Sequence, residues 1–303
     1  MYITMDEGER GELDTRLRGI RAQVHSHPEL SNREFETTKL VQRHLAALGL
    51  EPVELGLPTG AAALLRGGRP GPTVGLRADL DALPVTEQTG APYGSENEGV
   101  MHACGHDVHT SVLLGAAELL TKRREEIAGN ILFLFQPAEE AMVGARHVVE
   151  QGLFQRVKLS ALLGMHVWPQ LPRGEVGLRA GAFFAAVDNF RIVITGRGGH
   201  GSTPNLSRSP IGAGAALALA IPAIKAYDLP PTEPATVAVT LLQAGDCNNV
   251  IPDTCELQGT IRTFSEEARH IVAQRLQELT RSTAAAWGCT GEAEISKGTP
   301  PLV

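Results

Sequence analysis

The chain has 303 residues, 43% of them hydrophobic, and a formal net charge of -7. That length allows two domains, each burying a core, while an acidic balance without a basic patch argues against a general role on nucleic acid or a membrane surface. The acidic start MYITMDEGERGELD lacks the apolar segment of a secretory signal, and the longest apolar run, over 213–224, is short and contains Pro222, so a cytoplasmic protein is expected. Four irregularly spaced cysteines, Cys104, Cys247, Cys255 and Cys289, do not read as a disulfide framework and are expected to be reduced.

Taken in chain order, helical apolar spacing over 13–24 and 34–48 is separated by the turn HPELS, and Gly49 suits a helix C-terminus. Strand-like runs follow at 61–65, 73–76, 130–136 and 160–165, with helices expected at 111–122 and 144–150. Strands alternating with helices predict an α/β domain with a mainly parallel sheet covered on both faces, over residues 1–185. From 186 to 297 the order changes to strand (FRIVITGRGGHG), helix (211–225), two strands (236–243, 254–263), helix (266–287) and strand (292–296). This β-α-β-β-α-β order predicts a ferredoxin-like domain.

The unusual polar residues fall after predicted strands. Asp79 and Asp81 follow GLR, Glu139 and Glu140 follow NILFLFQP, and His166 follows SALLGM. Ligands of open α/β sheets bind outside the carboxyl ends of the strands, so three strands deliver acids and a histidine to one edge. MHACGHDVHT precedes a helix; in an extended loop Cys104 and His106 would point the same way and converge on one ion. Thiolate, imidazole and carboxylate together suit zinc, with manganese or cobalt favoured by a carboxylate-rich shell. Taken singly, each residue has a plainer reading: a buried core histidine or cysteine, a solvated pair of acids, or turn-forming aspartates. One glutamate binding metal while its neighbour takes a proton is the functional alternative for Glu139-Glu140.

Signals for zincins, P-loops and serine hydrolases, HExxH, GxxxxGK[ST] and GxSxG, do not occur. Gly196, Gly198 and Gly201 form a GxGxxG after a strand, but no acid lies between 189 and 227 to hold a ribose, which favours a tight glycine loop carrying His200.

In this order, RADLDALPV, MHACGHDVHT, QPAEE, LLGMHVWP, GRGGHGSTP and NNVIP followed by GTIRTF resemble the amidohydrolase branch of the aminoacylase and carboxypeptidase clan, which includes hippurate hydrolases, N-acetyl-amino-acid deacetylases and auxin-conjugate hydrolases. The resemblance implies two divalent metal ions, zinc, manganese or cobalt, in a catalytic domain carrying an inserted lid that commonly forms homodimers. It implies Cys104, His106, Glu140 and His166 as ligands, Glu139 as general base and Asp81 as a supporting acid. His200 would steady the oxyanion, often from a partner copy, and Asn249 with Arg262 would hold the substrate carboxylate, for which an Arg fork is suited. Residues 298–303 would start the family's return to the catalytic domain; the remainder of that segment, with a further histidine ligand, is not matched after Val303, so a truncated form is expected. The implied activity is hydrolysis of N-acyl amino acids by metal-activated water; a non-catalytic lid-mediated dimer and a cysteine hydrolase using Cys104 with His106 are the alternatives.

Overall fold

The computed structural model describes residues 5–303, and the chain divides into two compact units, one ending at Arg173 and the other beginning at Gly174. In the first unit, α1 (Glu7–Ser26) starts well before the apolar periodicity, because Asp6 and Glu9 form a reciprocal capping box. Then come α2 (Phe35–Ala47), β1 (Glu51–Pro52), β2 (Ala61–Arg66), β3 (Arg69–Asp79), α3 (His106–Thr121), β4 (Ala128–Gln136), α4 (Gly144–Glu150), α5 (Leu153–Arg156) and β5 (Ala161–Gly164).

The sheet order is β1-β2-β4-β3-β5. β4, β3 and β5 run parallel, while β2 joins β4 antiparallel and carries β1 antiparallel on its outer side. The sheet is thus mixed, with its parallel part where the sequence places the polar residues. Side-chain alternation along β4 sorts the core: Phe133 and Phe135 pack with Val41, Leu65 and Leu114 from the α1, α2 and α3 side, and Leu132 and Leu134 pack with Val148 and Leu153 from α4 and α5. Because β3, β4 and β5 are parallel, their carboxyl ends share one edge, and Asp81, Glu139, Glu140 and His166 all leave from it.

The second unit contains β6 (Ala186–Thr195), β7 (Gly199–His200), α6 (Pro210–Ala220), α7 (Ala223–Tyr227), β8 (Ala235–Gln243), β9 (Val250–Ile251), β10 (Thr254–Thr263), α8 (Glu266–Ala286) and β11 (Thr290–Lys297). Its four-stranded sheet has the order β11-β6-β10-β8, antiparallel throughout, with β7 and β9 as a separate ribbon. This is the ferredoxin-like arrangement expected. The single helix expected over 211–225 is two, since Pro222 lacks the N–H to continue α6. Phe190, Ile192 and Ile194 of β6 pack with Leu217, Ile221, Leu257, Val272 and Leu276. Asp188 of β6 accepts two hydrogen bonds from Arg269 of α8, at 2.7 and 2.6 Å, and one from the Gly298 N–H at 2.9 Å.

Residues 298–303 are bonded to the start of this second unit: Val187 N–H donates to the Thr299 carbonyl, and Leu302 exchanges backbone hydrogen bonds with Phe183 and Phe184. Among the described residues no helix is long and apolar enough to cross a membrane.

Candidate metal centre

The stretch MHACGHDVHT does not form the extended loop expected. α3 begins at His106, and Gly105 occupies the N-cap position with φ 87°. A side chain there would be strained by that conformation, and its Cβ would meet Val167 Cγ2 at 2.5 Å. The tight left-handed turn, rather than strand-like alternation, brings Cys104 and His106 to one place.

Ligand-capable atoms of Cys104, His106 and His166 lie within 4.8 Å of one another, and so do those of His106, Glu139 and Glu140. Cys104 Sγ is 3.4 Å from His166 Nε2. His106 Nε2 is 3.9 Å from Glu139 and 3.8 Å from Glu140. His106 therefore joins two groups of donors into one cluster.

The imidazole hydrogen bonds separate ligands from supports. In the neutral ring, His106 Nδ1 donates to the Asp81 backbone carbonyl at 2.8 Å, which leaves Nε2 as an acceptor; that atom is buried without a hydrogen-bond partner. His166 Nδ1 donates to the Val167 carbonyl at 2.7 Å, leaving its Nε2 facing Cys104. An imidazole whose far N–H is held by an oxygen is the arrangement that orients histidines on metals. A third group, Asp79 with His106 and His109, is also close enough to hold an ion. His109 is a support instead, because Nδ1 donates to Asp79 at 2.6 Å and Nε2 accepts from the Val167 N–H at 3.0 Å. Asp79 is further engaged by Arg77 at 2.7 Å.

Asp81 braces the centre. One carboxylate oxygen accepts from Ser31 Oγ at 2.7 Å and from the Glu140 N–H at 2.9 Å, and the other lies 3.3 Å from His106 Nδ1. The buried Glu140 Oε1, like His106 Nε2, has no partner.

The electrostatics call for a cation. Burial disfavours the charged form of His106, but hydrogen bonds to Asp81 and Cys104 and the Asp79 and Asp81 carboxylates prevail and push it up to about 11. With Nδ1 committed to Asp81, the open atom of the neutral ring is Nε2, and the surrounding acids favour positive charge there, from a proton or from a metal ion alike. Asp79 is held well below the usual carboxylate range: burial opposes this, yet the His109 hydrogen bond and Arg77 outweigh it. Hydrogen bonds with His106 and His166 pull the Cys104 thiol down, against partial burial. Glu139 moves the other way, its carboxyl raised chiefly by burial. A thiol, two imidazoles whose Nδ1 atoms are held by backbone carbonyls and a carboxylate with an unpartnered oxygen fit a divalent metal.

The profile of peptidase family M20/M25/M40 matches residues 75–301. The chain belongs to that family. Among its M20 relatives, the N-acetylcysteine deacetylase of Bacillus subtilis is 44% identical over 279 residues, covering 92% of this chain and 73% of that protein. The N-acyl-L-amino acid amidohydrolase of Geobacillus stearothermophilus is 39% identical over 295 residues, 96% of this chain and 79% of that one. The crystal structure of the Bacillus subtilis YXEP protein, a dinuclear metal-binding peptidase of the M20 family, superposes with a TM-score of 0.85 at 40% identity, covering 96% of this chain and 76% of that chain. Like these M20 proteins the chain is a metal-dependent hydrolase.

His200, Asn249 and Arg262 lie in the second unit. His200 is exposed on β7, its Nδ1 accepting from the Ser202 N–H at 3.1 Å, and the adjacent Gly201 N–H donates to the Asn249 carbonyl at 2.8 Å. Arg262 is not beside them. It sits at the far end of β10, bonded to Thr260 and to the Ile261 carbonyl, roughly 25 Å along the strand at about 3.3 Å per residue. The glycines of GRGGHG serve close backbone approach, as the tight-loop reading expects: a Cβ on Gly196 would stand 2.1 Å from the Arg208 carbonyl, and no α-helix follows directly.

Sequence reasoning missed four supports. His109 had a signal, its spacing of three from His106 on one helix face. Ser31, Glu34 and the Asp107 cluster, in which Asp107 accepts from Arg21 and His25 at 2.9 Å each, had none beyond their polarity.

Proposed function

We propose that this chain is an amidohydrolase that splits the amide bond of N-acyl amino acids. The observation that carries the reading is the orphaned Nε2 of His106, its tautomer fixed by Asp81, opening onto Glu139, Glu140, Cys104 and His166. Cys104, His106, Glu140 and His166 would hold the metal, two zinc or manganese ions in a complete site. When bound, the ions supply Lewis acidity toward the amide carbonyl and acidify water.

The remaining work falls to side chains. Glu139, the more exposed of the two acids, is the general base. It takes a proton from the attacking water, whose oxygen bonds to the amide carbon; the C–N bond breaks and the same proton goes to the departing amine. Asp81 and Asp79 keep the imidazoles oriented through this exchange. The names of the Bacillus and Geobacillus relatives support N-acyl amino acids as the substrate class. The reading keeps a cytoplasmic location, in which Cys104 stays a free thiol.

The first unit is read as the catalytic domain and the second as a lid through which two copies pair. β8 is an edge strand with Leu241 and Leu242 open to solvent, an edge on which a twofold partner can add. Since β10 separates Asn249 from Arg262, the two share one substrate carboxylate only when they come from different copies. His200, beside Asn249, then serves the partner's oxyanion. Mixing inactive His200→Ala and Glu139→Gln chains is expected to restore activity through mixed dimers; a strictly monomeric species in sedimentation, with no restoration, refutes the shared site.

The functional reading is tested with N-acetylcysteine, hippurate and other N-acyl amino acids. Chelation is expected to abolish hydrolysis, and manganese or zinc to restore it. Hydrolysis that survives exhaustive chelation and dies on thiol alkylation would replace the metal centre with a Cys104 nucleophile.

A further inference from the structure

We propose that Glu34 is a positioning residue for the loop that carries Glu139 and Glu140, an assignment that takes those two residues' roles from the functional reading above. Glu34 occupies the N-cap position of α2 and is fully buried, yet its side chain makes no hydrogen bond to its own helix. The exposed N–H groups at that helix start are met instead by Glu29, which accepts from Glu36 at 3.1 Å and Thr37 at 2.8 Å. The Glu34 carboxylate is thereby released for another task. A single oxygen, Oε1, accepts from the Asn32 N–H at 3.0 Å and from the Ala138 N–H at 2.8 Å.

The recipients are unusual. Among the described residues, three that are not glycine have positive φ: Asn32 at 64°, Ala138 at 52° and Met142 at 56°. Two of the three hang on this one oxygen. Left-handed backbone costs a residue with a Cβ on the order of 1–2 kcal/mol, so it persists only where its surroundings hold it. Ala138 directly precedes Glu139 and Glu140, and its bend sets the direction in which they leave β4. The same 29–34 segment is tied to the other acidic loop, through the Ala82 N–H donating to the Glu29 carbonyl at 2.8 Å and Ser31 donating to Asp81 at 2.7 Å. Glu34 and Ser31 thus set the strand-end loops after β4 and β3 against a common brace. Reach, not charge, is what Glu34 contributes: one oxygen at that position suffices.

Three substitutions separate reach from charge. Glu34→Ala removes the acceptor and is expected to lower kcat by about 10²-fold with KM within about threefold, the cost of a misplaced catalytic group, while bound metal measured by elemental analysis falls less than in Glu140→Gln, because Asp81 still holds the Glu140 N–H. Glu34→Gln keeps an oxygen at full reach and is expected to keep most of kcat. Glu34→Asp keeps the charge but shortens the arm and is expected to behave as Glu34→Ala. Adding Ala138→Gly to Glu34→Ala should recover about tenfold, because glycine adopts the left-handed bend without the penalty. Hydrogen exchange gives a readout free of turnover: the Ala138 amide should lose protection in the Ala and Asp variants and keep it in Gln, with β4 amides unchanged.

Equal losses in Gln and Asp, an effect confined to thermal stability, or no recovery with Ala138→Gly would overturn the proposal. If Glu34→Ala does not fold, the contrast of Gln with Asp decides. If the unsubstituted chain hydrolyses no N-acyl amino acid, the functional reading fails, and exchange at Ala138 still decides whether Glu34 holds the loop.

Discussion

Glu139→Gln is expected to lower kcat on N-acyl amino acids by about 10²–10⁴-fold, the range for losing a general base, with metal content near normal. Glu140→Gln is expected to lower metal content first and activity as a consequence. The adjacent side chains differ in surroundings that explain the division. Glu140 is tied by its N–H to Asp81, and its Oε1 is buried without a partner, as suits an atom waiting for a cation. Glu139 has the more exposed carboxylate of the two, and its carboxyl is raised, chiefly by burial, the direction that suits a group that accepts and returns a proton. Elemental analysis beside steady-state kinetics separates the two; loss of metal in Glu139→Gln with retention in Glu140→Gln would exchange the assignments.

Arg269→Met is expected to cost the second unit about 3–5 kcal/mol, because it strands the Asp188 carboxylate in a buried site. The pair is well enclosed, with side chains 7% and 2% exposed, and it joins α8 to β6. Asp188 keeps the Gly298 N–H, which tempers the loss. The double substitution Asp188→Leu with Arg269→Met should recover much of it, since a buried pair replaced by apolar groups is often neutral. The chain has two tryptophans, Trp168 in the first unit and Trp287 in the second, so urea unfolding followed by fluorescence in a Trp168→Phe background reports on the second unit. A double variant no more stable than Arg269→Met would show that the cost does not come from the stranded Asp188 carboxylate.

The centre was legible in the sequence wherever chain geometry alone places it. Acids and a histidine after apolar runs of strand length locate Asp81, Glu139, Glu140 and His166 at one sheet edge, and the sheet's parallel part lies there. α3 was the harder element. Its first turn buries His106, Asp107 and His109, so polar residues stand where apolar periodicity is sought, and the start appears at Ser111. Those groups are buried because partners in other elements hold them: Asp81 for His106, Asp79 for His109, His25 and Arg21 for Asp107. Ser31 and Glu34 fall in the same class. Tertiary hydrogen bonds decide burial of a polar side chain, and no local pattern encodes its distant partner. The break at Pro222 was local and readable, and the apolar spacing across it concealed it.

The central place of β6 sets a condition on how the protein is made. β6 is flanked by β10 and β11, both encoded downstream of it. After Thr195 leaves the ribosome, roughly a hundred residues remain before β11 is complete, about 5–20 s of synthesis at ordinary rates. Until β10 (Thr254–Thr263) is made, Phe190, Ile192 and Ile194, which end at 3%, 0% and 0% exposure, have neither neighbouring strand of their sheet, and α8 follows later still. The yield of folded chain is therefore expected to depend on the speed of elongation between β6 and β10.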